Sequence, residues 1–299
     1  MNDLSSRPLR EALSIGAALV VPGVSNALAA RVVADLGYSA AYVTGAGIAN
    51  SYLGMPDNGL VTVTELVDHV MAIRDIFPGH LIVDADTGFG NAMNVVRTMR
   101  SLERAGANAI QLEDQVFPKR CGHFDGKELV SKEEMVAKIA AAADTRHSPD
   151  CLIIARTDAI AVEGFSAAID RASAYREAGA DVSFVEAPTS MDQLAEIPRL
   201  LPWPQVINVV IGGRTPEPTN DKLKSLGYAM ALYANVALQS AVHGMQVALG
   251  RLRTAGKVGD PTGFLVDFAE RQRLVDKDKF DEMERIYSST AAAPVRSHA

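Results

Sequence analysis

Short, continuously apolar runs alternate along this chain with longer stretches whose apolar positions recur at helical spacing. The runs are AALVVPG (17–23), SAAYVTGAG (39–47), HLIVDADTGFG (80–90) and NAIQLED (108–114). CLIIARTDA (151–159), DVSFVEA (181–187), QVINVVIGG (205–213) and YAMALYA (228–234) follow. Eight such runs predict eight strands, and their near-continuous apolarity is that of parallel strands buried on both faces. Between the first two, NALAARVVADLG predicts a helix with Leu28, Val32, Val33 and Leu36 on one side and Gly37 just past its end. MNVVRTMRSLERAGA and FSAAIDRASAYREAGA each finish in Ala-Gly-Ala before the next strand. Eight β–α alternations without a break in composition predict an α/β protein, a single (β/α)₈ TIM-type barrel over 1–299, rather than a doubly wound sheet.

Beyond the eighth strand the pattern continues. NVALQSAVHGMQVALGRLRTAG reads as one helix stopped by Gly256, and GDPTG separates it from FLVDFAERQRLV and DKFDEMERIY. A barrel does not need these segments, so residues 236–287 are expected to form a helical arm that covers a neighbouring subunit. Residues 288–299 are expected to be a mobile tail.

Apolar residues make up 48% of the 299, enough for a sizeable core. With 29 basic against 36 acidic side chains, the net charge is −7, and no basic stripe with interleaved aromatics suggests nucleic acid. No run approaches the roughly 20 apolar residues of a membrane helix, and the N-terminus lacks a secretory pattern. A cytoplasmic location with Cys121 and Cys151 reduced is expected.

Chemistry gathers where barrel strands end. Those ends offer Tyr42, Thr44 and the Gly45-Ala46-Gly47 loop, then Asp84 and Asp86, Glu113, Arg156 with Asp158, Glu186 and Asn208. Asp84 and Asp86, two apart on a strand, are expected on one face. Two inward carboxylates need compensation, and Mg²⁺ (or Mn²⁺) accepts one or two of them while keeping waters that a substrate oxygen can replace. Glu113 would complete the shell directly or through water. The plainer reading is a salt bridge, with Arg156 as partner. The GFG after these aspartates lacks the spacing of a phosphate loop and reads as a turn. Downstream, Lys119, Arg120 and His123 flank Cys121 and favour its thiolate, and Gly122 lets the loop bend. The plainer alternative is a solvated basic loop. Cys151, opening an apolar strand, reads as a buried hydrophobe. Metal, arginine and cysteine together suit cleavage of a 2-oxo or 2-hydroxy acid through an enolate, with Cys121 moving the proton at carbon.

Read in order, YVTG, GMPD ending at Asp57, DADTGFG, LEDQ, KRCGH, ARTDA, FVEA and the N-x-x-x-G-G-x-T-P from Asn208 resemble the isocitrate lyase/phosphoenolpyruvate mutase superfamily. The closing FAERQRLVDKDKFDEMERIY resembles that family too. The resemblance implies a barrel whose eighth helix swaps between subunits, with dimers pairing into a homotetramer. It also implies Mg²⁺ around Asp84, Asp86 and Glu113, and a gating loop carrying KRCGH. Cys121 would be the catalytic acid/base, with Tyr42, Arg156 and Glu186 at the reacting part. Thr44, Gly45 and Ala46 would bind the substrate carboxylate, and Asp86, Gly122, His123 and Asn208 are further expected substrate contacts. The cysteine disfavours a phosphonate mutase. Three positions depart from the pattern: Thr44 for serine, Gln239 where methylisocitrate lyases carry arginine, and Ile211 for glutamate. Loss of that arginine favours a dicarboxylate over a tricarboxylate. The expected activity is therefore a Mg²⁺-dependent carbon–carbon lyase for a substituted malate, resembling dimethylmalate lyase. Oxaloacetate hydrolase and methylisocitrate lyase are alternatives, and a non-catalytic ligand-binding barrel is the rival of a different class.

Overall fold

A computed structural model describes residues 7–120, 126–213 and 215–291. Eight parallel strands, β1 (Leu19–Val24), β2 (Ala40–Val43), β3 (His80–Asp84), β4 (Ala109–Glu113), β5 (Leu152–Thr157), β6 (Val182–Val185), β7 (Gln205–Asn208) and β8 (Met230–Tyr233), close on themselves in sequence order. Seven lie inside the apolar runs, and β1 extends one residue beyond its run, to Val24. The helices are α1 (Leu9–Ala12), α2 (Ala27–Asp35), α3 (Gly45–Ile48), α4 (Val63–Arg74), α5 (Ala92–Arg104), α6 (Lys132–Thr145), α7 (Phe165–Glu177), α8 (Met191–Leu200), α9 (Asn220–Leu226), α10 (Val236–Ala255), α11 (Phe268–Leu274) and α12 (Lys277–Ala291).

Strand parity divides the core into two layers. Tyr42, Ile82, Ala109, Ile154, Phe184, Val206 and Leu232 point inward and fill the barrel. Their neighbours, Val43, Val83, Ile110, Leu112, Ile153 and Ala155, point outward against the helices. The same parity carries polar residues inward at the strand ends. Asp84 pairs with Gln111 across β3 and β4, and Glu113 pairs with Arg156 across β4 and β5.

Helix starts follow local chemistry. Thr62 and Glu65 form a capping box on α4, and Asn91 with Asn94 does the same on α5. The Ala-Gly-Ala endings also behave as read: Gly106 and Gly179 have φ of +98° and +113°, conformations that favour glycine after a helix.

α2 divides the four apolar residues expected on one side. Ala30 and Val33 are buried, while Leu28, Val32 and Leu36 are exposed. Ala30 and Val33 pack into the core, and the larger Leu/Val stripe faces outward. Gly45-Ala46-Gly47, expected as a flexible loop, is helical: Thr44 Oγ1 accepts from the Gly47 N–H at 3.2 Å, and one π-helical turn follows over Ala49–Leu53.

The chain forms two compact units, 1–239 and 240–299. In the second, α11 starts at Phe268 rather than 264 because Asp267 caps it, accepting from Glu270 N at 2.7 Å. α12 continues to Ala291, into the segment expected to be a tail. Among the described residues, no helix is long and apolar enough to cross a membrane.

Candidate active site

A cavity of about 270 Å³ opens at the C-terminal ends of the strands. Tyr42, Thr44, Ala46, Asp84, Arg156, Glu186 and Asn208 line it, as expected from their positions. Asp57, Lys119, Arg120 and Ile211 line it as well. Gly45 stands directly behind: its N–H lies 3.4 Å from Asp84 Oδ2. A Cβ built there would sit 3.2 Å from Asp86 Oδ1 and 3.3 Å from Asp84 Oδ2, so the two carboxylates converge over this backbone and a methyl would crowd both by a few tenths of an ångström. Cys121, Gly122 and His123 lie outside the described residues.

Asp84 and Asp86 meet for a reason different from strand parity. β3 ends at Asp84, and Asp86 sits in the following turn with φ of +46°, an uncommon backbone for a non-glycine residue. Its N–H donates to Asp84 Oδ1 at 3.1 Å, and the turn folds its carboxylate back beside the first. Burial raises the Asp86 carboxyl to about 6 against the pull of Lys119, and the negative charge of Asp84 and Asp57 adds to the rise.

The salt-bridge partner of Asp86 is Lys119 and not Arg156. Lys119 Nζ lies 2.5 Å from Asp57 Oδ1 and 2.9 Å from Asp86 Oδ1, with its side chain buried. Burial opposes its charge, but Asp86, Glu113, Asp84 and Asp57 outweigh that and hold it well above the ordinary lysine range. The residue expected to tune Cys121 thus also neutralises the acidic cluster.

Arg156 is engaged elsewhere. Its Nε and Nη2 bind the two oxygens of Asp158 at 2.9 and 3.1 Å, a bidentate grip that Lys127 shares from 3.1 Å. Its Nη1 faces Glu113 Oε2 at 3.3 Å, its Nε is 3.9 Å from Glu186 Oε2, and its guanidinium lies over Phe184, 5.3 Å from the ring centroid. Burial raises the Glu113 carboxyl well above the usual range, with Arg156 opposing, and neither Glu113 oxygen receives a hydrogen bond. Asn208 Nδ2 donates to Glu186 Oε1 at 3.3 Å. Asp114, the neighbour of Glu113, faces outward by parity and accepts from Thr157 Oγ1 at 2.7 Å and Tyr175 Oη at 2.8 Å. It braces the barrel wall.

The fit to a hard divalent cation rests on the donor set. The buried oxygens of Glu113, which receive no hydrogen bond, and Asp86 Oδ1, which the Lys119 ammonium holds at 2.9 Å, are what such an ion would satisfy. Among the described residues, no three His, Cys, Asp or Glu side chains converge as a ready-made ligand cluster. Asp84 and Asp86 form a pair, with Glu113 turned toward Arg156. A cation sharing two carboxylates and several waters suits this arrangement.

Sequence reasoning missed two residues of the site. Asp57 was noted only inside its motif. Gln111 is fully buried: it accepts from the Tyr42 hydroxyl through Oε1 and donates from Nε2 to Asp84 Oδ1 at 3.2 Å. Its signal is a lone polar residue inside an apolar run, two before Glu113 and so on the same inward face. The Gln115 side chain, also buried, bonds the backbone of Arg120 in both directions, at 2.8 and 2.9 Å, and pins the chain just before Cys121.

Comparison with known proteins identifies the family. The family model described as phosphoenolpyruvate phosphomutase matches residues 9–253. The chain is 45% identical to 2,3-dimethylmalate lyase of Eubacterium barkeri, over 94% of this chain and 97% of that protein. It is 40% identical to 2-methylisocitrate lyase of Aeropyrum pernix, over 97% and 93%. A crystal structure of 2,3-dimethylmalate lyase superposes with a TM-score of 0.88 at 34% identity, covering 97% of both chains. Oxaloacetate acetylhydrolase with 3,3-difluorooxalacetate gives 0.87 at 34%, covering 96% and 97%. Phosphonopyruvate hydrolase with oxalate and Mg²⁺ gives 0.84 at 30%, covering 94% and 98%. The chain belongs to the phosphoenolpyruvate mutase/isocitrate lyase superfamily and is a carbon–carbon lyase of it.

Proposed function

We propose that this lyase cleaves the C2–C3 bond of a substituted malate-type 2-hydroxy dicarboxylate, in the manner of 2,3-dimethylmalate lyase. The observation that carries the reading is the convergence of Asp84, Tyr42, Arg156 and Glu186 on one cavity at the strand ends. As the C2 hydroxyl loses its proton and becomes a carbonyl, the C2–C3 electrons move to C3, beside a carboxylate that spreads them as an enolate. C3 then takes a proton, and the products are a 2-oxo acid and a simple carboxylic acid. Arg156, fixed by Asp158, supplies positive charge for a substrate carboxylate. Thr44 keeps its hydroxyl proton to donate, because its oxygen already accepts from Gly47, and Ala46 borders the same space. Asn208 is held by Glu186 at the far wall. Glu113 is the proposed base for the hydroxyl proton, since neither of its buried oxygens receives a hydrogen bond, Oε2 facing Arg156 only as an ion pair, and its proton affinity is raised. Cys121 is the proposed acid at C3, with Gly122 and His123 closing on the substrate. Lys119 and Arg120, which directly precede Cys121, line the cavity.

Asp84 and Asp86, with Glu113 near them, are the proposed holders of Mg²⁺, for which Mn²⁺ could substitute. Bound there, the ion would supply positive charge to the hydroxy-acid oxygens.

Hydrolysis of oxaloacetate is the second reading, favoured by the likeness to oxaloacetate acetylhydrolase. Methylisocitrate is disfavoured, because Gln239 brings no positive charge and is exposed rather than among the cavity's lining residues. Incubation with a panel of substituted malates, oxaloacetate and methylisocitrate plus Mg²⁺, with products identified by NMR, tests the reading. Cleavage of a dialkylated malate to a 2-oxo acid is the expected result, and oxalate plus acetate from oxaloacetate alone would replace it with the second reading.

The proposed organisation is one barrel domain with a helical arm over 236–287 and a tail from 288. The proposed assembly is a homotetramer of helix-swapped dimers. Exposed apolar positions on α2 and on the C-terminal helices support that assembly. A free, buried Cys151 suits the reducing cytoplasm, the proposed compartment.

A further inference from the structure

Asp84 Oδ1 accepts the backbone N–H of Asp86 at 3.1 Å, which fixes that oxygen as an acceptor. The Gln111 group facing it at 3.2 Å must therefore be the amide nitrogen, which has protons to give. The orientation of the whole amide follows. Gln111 Oε1 has no proton and faces the Tyr42 hydroxyl, so the one proton between those oxygens belongs to the phenol. Tyr42 has a single O–H, and Gln111 takes it.

Tyr42 also lines the cavity. With its proton committed to Gln111, it turns only lone pairs toward a ligand. Such an oxygen matches a carbinol, which has an O–H to donate, and opposes a carbonyl, which only accepts. Gln111 is completely buried and Tyr42 nearly so, so water has no ready access to mediate a mismatch.

We propose that Gln111 is a positioning residue that makes Tyr42 a dedicated hydrogen-bond acceptor, so that the site selects 2-hydroxy acids over 2-oxo acids. This rests on the dicarboxylate lyase reading and sharpens it. The Tyr42 hydroxyl is held well above the ordinary phenol range by burial and by Asp84, against Arg156, which keeps it protonated and consistent with this role.

Two measurements test the proposal, one with ligand and one without. At saturating Mg²⁺, calorimetry compares 2-hydroxyglutarate with 2-oxoglutarate, stable dicarboxylates that differ only at C2. The wild type is expected to bind the hydroxy acid on the order of 10–100-fold more tightly, the usual cost of one mismatched buried hydrogen bond. Gln111→Leu, which frees the phenol proton to donate, should bring that ratio near unity. Gln111→Met does the same should the leucine variant fold poorly. A general loss of structure would weaken both ligands alike and leave the ratio unchanged, and that result overturns the proposal.

Without ligand, NMR of tyrosine labelled with ¹³C at Cζ, assigned by loss of the signal in Tyr42→Phe, reports the phenol directly. Its resonance should move upfield in Gln111→Leu as the donated bond is lost, and an unmoved resonance overturns the assignment. Should neither glutarate bind the wild type, the substrate reading is decided by the product panel above, and the NMR shift still decides whether Gln111 commits the Tyr42 proton.

Discussion

Lys119 Nζ stands 2.9 Å from Asp86 Oδ1, so an ammonium occupies the charge that a divalent cation would share. The same ammonium also binds Asp57. Removing it frees negative charge beside Asp84. Lys119→Gln is therefore expected to tighten Mg²⁺ binding in the absence of substrate by up to about tenfold, the effect of one pKa unit of electrostatic relief. It should also lower turnover, because the residue lines the cavity. Calorimetric titration of the two proteins with Mg²⁺ checks this, and unchanged or weaker binding in the variant would refute the competition.

A second expectation concerns pH. Burial, with the charge of Asp84 and Asp57, raises the Asp86 carboxyl to about 6 despite Lys119. A carboxyl raised in the folded state holds its proton to higher pH, and that proton competes with the cation. Apparent Mg²⁺ affinity should be constant above about pH 7 and fall by up to tenfold for each unit below about 6. A profile flat down to pH 5 would remove Asp86 from the ligand set.

How much of this could be read from sequence differs by residue. The eight strands were legible because apolar runs bounded by glycine and polar residues leave few alternatives. Cavity residues at strand ends were legible for a related reason: a barrel brings those ends together whatever the loops do. The inner face of α2 was not, because its Leu/Val stripe and its Ala/Val stripe both have helical period, and only the space beneath decides between them. Convergence of Asp84 and Asp86 is expected from strand parity, but the strand stops at Asp84, two residues short of Asp86, and a left-handed turn brings the carboxylates together. The partner of Arg156 was likewise hidden. Asp158, two residues on, takes the Nε/Nη2 edge of its guanidinium, and this bidentate contact depends on side-chain torsions that a pattern does not carry. Gln111 was passed over because one amide in an apolar strand looks like filler until its two partners are seen.

The two cysteines should separate cleanly by reactivity. Cys151 is 3% exposed, and burial pushes its thiol up to about 12, with Glu103 adding to the rise, so at neutral pH it offers almost no thiolate. Cys121 lies between cationic neighbours in sequence. Iodoacetamide at pH 7.5 is expected to modify one thiol per native chain, at Cys121, with loss of activity and with protection by substrate. Cys121→Ser should turn over about 10²–10⁴-fold more slowly, as for other lost acid–base groups, while Cys151→Ala keeps its activity. Mass spectrometry of the alkylated protein locates the label. Modification at Cys151, or near wild-type turnover by Cys121→Ser, would remove Cys121 from the proton-transfer role.

The last expectation is that the chain works as an oligomer. Leu28, Val32 and Leu36 stand four residues apart, are 54%, 39% and 68% exposed, and so form one apolar stripe along α2 and its C-cap. In the C-terminal unit Met245, Leu249, Phe268, Phe280 and Tyr287 are all more than half exposed. A monomer rarely leaves so many large apolar side chains in water. Covering a leucine or valine contributes about 1.5–3 kcal/mol, so two charges placed in the α2 stripe should weaken association by at least about a hundredfold. Leu28→Lys/Val32→Glu is a suitable variant, because both positions are solvent-exposed in the single chain and the barrel core does not depend on them. Light scattering of the wild type should give a tetramer at micromolar concentration, and the variant should give smaller species with unchanged circular dichroism. Phe268→Lys/Phe280→Glu, charges placed on the exposed apolar positions of the C-terminal unit, should act in the same way. A wild-type monomer at micromolar concentration would end the assembly proposal. A variant that stays tetrameric would remove α2 from the interface.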